Sequence, residues 1–352
     1  MPDGDFQPSE KSGHPPGQVV QTIQHQESCV KEESLVWNTP SVVQSFADAV
    51  VMKNGSVFFL TNPNGNVPLA GKHELGLYYH DCRYLNGYEL QVAGQTFSAL
   101  LSEAERGCMT TFEFANSEVH GPEGEILLPQ QLGVTWERAI DGENLSLSDR
   151  ITFDNYQLAE SMTFPVRLTF QAAFEDIFVV RGLVPPMERG ELYAPRWDNG
   201  VLSFIYHGAE GLYRSLFIHF SPSPETTTET TAEFRVTLRP RERQQLMIYL
   251  DIIESPDLAQ IQPTPQALER HQPALLTTIP NQSEQSAREW LGNLTRFDSD
   301  SLTLNRAMER SLRDLHMLRS TIDSKVVFAA GLPQFATLFG RDSIVTAIQT
   351  LA

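Results

Sequence analysis

The residues best suited to chemistry lie near the end of the chain. Gly331, Pro333 and Gly340 punctuate a loop carrying Phe335, Leu338 and Phe339, and Arg341 and Asp342 follow side by side. Arg341 offers a planar fork of donors. An ionised Asp342 offers acceptors only. Together they suit a ligand with adjacent hydroxyls, such as a sugar, whose apolar face the rings of Phe335 and Phe339 could cover. The plainer reading is that Asp342 caps a helix and Arg341 makes a surface ion pair. Ser343 or Asp342 is the expected N-cap of a helix in which Ile344, Val345, Ile348 and Leu351 recur at helical spacing. No glycine, basic last turn or proline closes that pattern before Ala352, so the helix is expected to belong to a larger helical domain.

Other clusters of reactive types read as structural. His73, Glu74, His80, Asp81 and Arg83 are close in sequence but meet no metal-ligand spacing. An Asp–Arg pair there would tie a loop to a strand. Asp314 and His316 are two apart on an expected helix and face different ways, and Asp323 lies just beyond. Trp136, Trp197 and Trp290 could each stack on a sugar, although a lone tryptophan among strands is usually core or half-buried. No Gly-x-Ser-x-Gly, Walker-type or Gly-x-Gly-x-x-Gly element is present, which removes support for serine-hydrolase, nucleotide-hydrolase and dinucleotide readings. No cofactor or metal is expected.

The elements that must hold these residues are mostly strands. Residues 1–40 are polar and rich in Pro, Gln, Ser and Glu, so disorder is expected, with Trp37 as a docking exception. Residues 41–253 carry a period of two. Leu145, Leu147, Ile151 and Phe153 share one face, as do Met162, Phe164, Val166, Leu168 and Phe170. Leu216, Ile218 and Phe220 repeat the pattern, and so do Phe234, Val236 and Leu238. Lys53-Asn54-Gly55, Ala93-Gly94 and Asp141-Gly142 are the expected hairpin turns. A long run of alternating strands without intervening helices predicts a large antiparallel β-sandwich. Residues 254–290 read as a linker. Asp300 and Ser301 then cap a helix whose stripe is Leu304, Met308, Ser311, Leu312, Leu315 and Leu318. Residues 291–352 thus read as helix, loop, helix.

Composition narrows the partners. The 352 residues include 44 acidic and 26 basic side chains, for a formal charge of −18. That balance argues against nucleic acid and anionic membrane surfaces, which select for Lys and Arg. It suits a neutral ligand. Cys29, Cys82 and Cys108 are scattered and odd in number, and are expected to be reduced thiols of a cytoplasmic protein. No signal-peptide-like run occupies the first forty residues, and no stretch has the length of apolar residues that a membrane helix needs.

Two segments carry a family resemblance. Gly331-Leu-Pro-Gln-Phe-Ala-Thr-Leu-Phe-Gly-Arg-Asp-Ser343 resembles the signature that opens the catalytic (α/α)6 barrel of the bacterial and archaeal glycogen-debranching (amylo-α-1,6-glucosidase-like) family. Gly76-Leu-Tyr-Tyr-His-Asp-Cys-Arg-Tyr-Leu85 is similar to the N-terminal domain pattern of the same family, in which Thr usually stands at the place of Cys82. A tryptophan is often found at the place of Gln334. The resemblance implies that Arg341 and Asp342 hold hydroxyls of the sugar being cleaved, with Phe335 and Phe339 beside them. It also implies an inverting glycosidase, whose two carboxyl groups stand roughly 6.5–9.5 Å apart to admit a water. In such enzymes the acid and base come from later barrel helices, so no catalytic residue is named here.

The expectation is therefore mainly β: a large antiparallel sandwich followed by the first helices of a truncated (α/α)6 barrel. Its function would be the N-terminal portion of an α-glucan (glycogen-like) debranching glucosidase, inactive in isolation, with a separate chain as one source of the remaining barrel. The alternative is a stand-alone β-sandwich that binds glucan or a partner protein without catalysis.

Overall fold

The computed structural model describes residues 49–103, 107–120, 126–184, 190–263, 288–295, 297–322, 325–332, 335–336 and 338–350. The expected N-terminal tail with Trp37, residues 264–287 of the expected linker, Asp323 and Gln334 lie outside them.

Strands of alternating parity must bury one side, and two sheets facing each other achieve this. The chain begins with an antiparallel meander of β1 (Val50–Asn54), β2 (Val57–Thr61), β3 (Gly76–Tyr79) and β4 (Cys82–Val92). The Asn54-Gly55 turn joins β1 to β2, with Gly55 at φ 60°. At Ala93-Gly94 both residues take positive φ, and the turn is as tight as its sequence predicts. It does not, however, join two strands of one sheet. After it the chain crosses to β5 (Ala99–Glu103) and β6 (Met109–Ala115) in the facing sheet. A small pair, β7 (Val119–His120) and β8 (Ile126–Leu127), precedes β9 (Leu132–Asp141) and β10 (Ser146–Asn155), which form the hairpin expected at Asp141-Gly142. There the Asp141 carboxylate accepts from the Glu143 and Asn144 backbone N–H groups, and the positive φ falls on Leu145.

The long β11 (Met162–Asp176) returns to the first sheet beside β4 and ends in a one-turn helix, α1 (Ile177–Val180). Then follow β12 (Gly190–Leu192), β13 (Arg196–Asp198), β14 (Val201–Gly208), β15 (Tyr213–Ser221), β16 (Thr226–Thr227), β17 (Thr231–Leu238) and β18 (Arg243–Ser255). Among the described residues one sheet runs β1-β2-β3-β4-β11-β17-β16, and the other runs β12-β14-β15-β18-β10-β9-β6-β5, with β13 beside β14. The antiparallel sandwich is as expected. Phe164, Val166, Leu168 and Phe170 of one sheet meet Trp136, Ile151, Phe153 and Leu216 of the other in a single apolar core.

One charged pair sits in that core. Arg138 and Asp149 lie opposite each other on β9 and β10, and neither side chain is exposed at all. Arg138 donates twice to Asp149, at 2.7 Å each, and once to the Gly65 carbonyl at 2.9 Å. Tyr88 donates to Asp149 at 2.6 Å. The guanidinium carbon stands 4.3 Å from the Trp136 ring centroid and 4.5 Å from that of Phe59. A fully paired network of this kind is costly to break from one side.

Beyond the sandwich, α2 (Leu302–Leu318) starts where expected, with Ser301 as N-cap accepting from the Leu304 N–H. The reading of helix, loop, helix needs one correction. A hairpin of β19 (Arg319–Ile322) and β20 (Lys325–Phe328) stands between α2 and the last helix, α3 (Gly340–Gln349). No described helix is long and apolar enough to cross a membrane.

Candidate functional site

The loop before α3 is fastened at both ends. Ala329 is buried, and its N–H donates to the Leu318 carbonyl at the end of α2. Gly331 and Phe335 exchange two backbone hydrogen bonds of 3.1 Å, which fold the loop back on itself. Between and after them, Leu332 and Ala336 pack on Phe58, Leu60, Tyr78 and Ile177. Those positions alternate with core-facing Val57, Phe59 and Leu77, so they form the outer face of the β1–β4 sheet. The loop thus rests on the sandwich.

A second tie is polar. Lys53 of β1 is buried and donates to the carbonyls of Met317 (3.2 Å) and Arg319 (3.0 Å) and to the Ser320 hydroxyl (2.8 Å). These acceptors lie at the C-terminal end of α2, where unsatisfied carbonyls attract a cation. Burial pushes the Lys53 ammonium down to about 8.

The structure brings Phe335 and Phe339 together edge to face, with centroids 5.3 Å apart and planes at 84°. Arg181 stands over the Phe335 ring at 5.1 Å, so part of that ring is already covered. Arg341 and Asp342 remain open to solvent, their side chains 88% and 44% exposed, with Nε and Oδ2 3.9 Å apart. That spacing is a loose ion pair, and it leaves both groups available to a ligand. The expected cap is corrected. Phe339 is the N-cap, without a side-chain cap bond, and Asp342 and Ser343 lie inside the first turn. The Ser343 hydroxyl instead donates to the Phe328 carbonyl at 2.7 Å. Asp342 still gains from its place near the helix start, where a carboxylate complements the macrodipole.

The other clusters are structural. Arg83 is buried, donates to the His73 carbonyl at 2.6 Å and to Glu175 at 3.0 Å, and so holds a loop to β4 and β11. Burial lowers the His73 pKa. Among the described residues no group of three or more His, Cys, Asp or Glu side chains could hold a metal ion. Burial raises the Cys82 thiol to about 12, far from a reactive thiolate. Asp314 accepts from Arg310, and His316 lies against Trp290. Trp136 is in the core, and Trp197 donates to the Thr228 carbonyl at 2.7 Å.

Two features were missed from sequence. Arg138 and Asp149 both fall on the apolar parity of their strands, a signal present in the alternation. Tyr156, which is 60% exposed beside β9 and β10, carried no such signal.

No curated protein matches the chain. Among solved structures it is similar to a protein described as a kojibiose phosphorylase from the human microbiome, at 8% identity and TM-score 0.55, covering 80% of this chain and 40% of that one. It is also similar to a bacterial glucoamylase complexed with acarbose, at 11% identity and TM-score 0.43, covering 80% and 42%. The first likeness is one of fold, and this chain spans less than half of that protein's length. Residues 52–249, most of the sandwich, match the family described as the N-terminal domain of (some) glycogen debranching enzymes. The chain belongs to that family.

Proposed function

We propose that the chain serves α-glucan debranching of the amylo-α-1,6-glucosidase type, as the N-terminal portion of the glycoside hydrolase. The observation that carries this is the family match across residues 52–249. In this reading the sandwich is a platform, and residues 291–352 open an (α/α)6 domain completed by further sequence or by a separate chain. Arg341 and Asp342 hold adjacent hydroxyls of a glucose unit, the guanidinium donating and the carboxylate accepting. Phe335 and Phe339 bound the sugar's apolar side. Their exposure at a helix start, on a loop fastened to the sandwich, supports this role.

Hydrolysis needs an acid and a base flanking the glycosidic oxygen, and no residue of this chain is assigned to either. The isolated 352-residue chain is therefore expected to release no glucose. Two buried or half-buried thiols, Cys82 and Cys108, support a reducing cytoplasm as the compartment.

The protein in the form its gene encodes should release glucose from a phosphorylase limit dextrin. R341A and D342A should each lower kcat/KM by about tenfold or more, the scale of a lost charge-assisted hydrogen bond. No glucose release, or unchanged kinetics in both variants, would reject the reading. The alternative, a glucan-binding sandwich without catalysis, is favoured by the exposed sheet face described next.

A further inference from the structure

The outer face of the β5–β18 sheet is unlike itself from end to end. Around Ala139, Met247, Tyr249 and Phe217 it is buried. Around Gly133, Asp154 and Arg243 it is polar: Arg243 is exposed, Asp154 is half-buried and Gly133 lies beneath Tyr156. These three residues stand opposite one another on β9, β10 and β18. Val134, Phe153 and Leu246, of the opposite parity on the same strands, point into the core, so these three point outward.

The hydroxyl end of Tyr156 lies against this shelf. A Cβ built on Gly133 would fall 2.4 Å from the Tyr156 hydroxyl oxygen and 2.6–2.7 Å from two of its ring carbons. The hydroxyl end of the ring therefore covers the glycine, and the residue is still 60% exposed. The backbone beneath the ring is held in place. The Tyr156 N–H donates to the Gln131 carbonyl at 2.9 Å. The preceding residue, Asn155, is buried and donates to the carbonyls of Glu160, Leu238 and Arg239. The backbone that carries the ring is thus fixed before any ligand binds, which lowers the ordering cost of binding.

Planar polar groups stand around it. Gln157 donates to the Gln131 side-chain oxygen at 3.1 Å. Arg243 grips Asp154 at 2.7 and 3.2 Å, and two rows further Arg150 grips Glu137 at 2.6 and 2.7 Å. Each guanidinium is thus matched by a carboxylate. A shelf whose guanidinium groups at Arg243 and Arg150 are both paired, in a chain of charge −18, does not favour phosphates or nucleic acid. A ring on a fixed backbone, bordered by amides and paired charges, supplies an apolar plane with donors and acceptors at its margin. That combination fits a neutral pyranose, with its ring stacked on Tyr156 and its hydroxyls toward Gln157, Gln131 and Asp154–Arg243.

We propose that this shelf is a glucan-holding surface separate from the Arg341–Asp342 site, with Tyr156 as its stacking platform. The identity of the ligand rests on the α-glucan reading above. The test is native electrophoresis of the 352-residue chain through gels containing soluble glycogen, with thermal melting as a folding control. The wild type should be retarded. Y156A should weaken the apparent affinity by about tenfold, as expected for truncating a binding hot spot, while Y156F should keep it. M308S, on the exposed stripe of α2, should be retarded like wild type. Equal retardation of Y156A and wild type would overturn the proposal, and so would loss in Y156F as well as Y156A. Retardation lost in R341A but kept in Y156A would also overturn it, while leaving the debranching reading standing. A wild type that runs freely would overturn the shelf alone, because glucose release tests the debranching reading separately.

Discussion

The sandwich and the helical segment after it are opposites in how they treat apolar surface. The sandwich buries its large side chains in one continuous core, and even holds an ion pair there. Neither α2 nor α3 has a buried residue, and Leu304, Met308, Ile344, Val345 and Ile348 are exposed. A short isolated helix is marginal in water. These two are held by a few ties to the sandwich: Lys53, Leu332 and Ala336, and the bond from the Ser320 hydroxyl to the Gly55 carbonyl. Stability in this chain is therefore uneven, and the candidate sugar-holding pair sits in the part with less of it.

The contrast predicts a graded set of effects. The largest belongs to R138A, which leaves Asp149 buried without its partner. Urea unfolding should show a loss of roughly 3–5 kcal/mol. A loss below about 1 kcal/mol would mean that the core does not depend on this network.

A middle effect belongs to Lys53. Its pKa falls from 10.5 in the unfolded chain to about 8 in the folded one. Below pH 8 both states carry the proton. Between pH 8 and 10.5 the unfolded state holds it and the folded state has released it, so stability rises with pH across that window. Comparing wild type with K53M at pH 7.5 and 9.5 should isolate a gain of about 1–2 kcal/mol in the wild type only. Equal pH dependence in both proteins would disprove it. At pH 7.5, K53M should also speed hydrogen exchange around residues 317–320 while leaving that of the core strands unchanged.

The smallest effects belong to the exposed residues of α2 and α3. M308S, R341A and D342A should each change unfolding free energy by no more than about 0.5 kcal/mol. A cost of 2 kcal/mol or more for M308S would show that the α2 stripe is covered in solution. For R341A, a stability-neutral variant that loses kcat/KM would separate binding from folding.

Much of the sandwich was legible because parity is a strong constraint. A one-residue slip in Met162–Phe170 would turn five apolar residues to solvent. Parity does not say which sheet a strand joins, and this is why Ala93-Gly94 was correctly read as a turn but wrongly read as a hairpin between sheet neighbours. The β19–β20 pair was missed because four-residue strands give too short a pattern to distinguish from loop. The cap was misplaced by three to four residues because Phe339 has no capping side chain and so gives no signal. Of the candidate site, the sequence supplied the residue types and their order. It could not supply the resting place of the loop, which depends on Phe58, Leu60 and Tyr78 more than 250 positions upstream.

That resting place has a practical side for anyone recombining such proteins. A chimera that grafts residues 302–350 onto another sandwich must also import a landing pad for Leu332 and Ala336 and a lysine at the place of Lys53. Without them the graft would keep its helices in sequence and lose their orientation. The boundary between exchangeable parts therefore runs through contacts in three dimensions, and no single cut in the chain respects it.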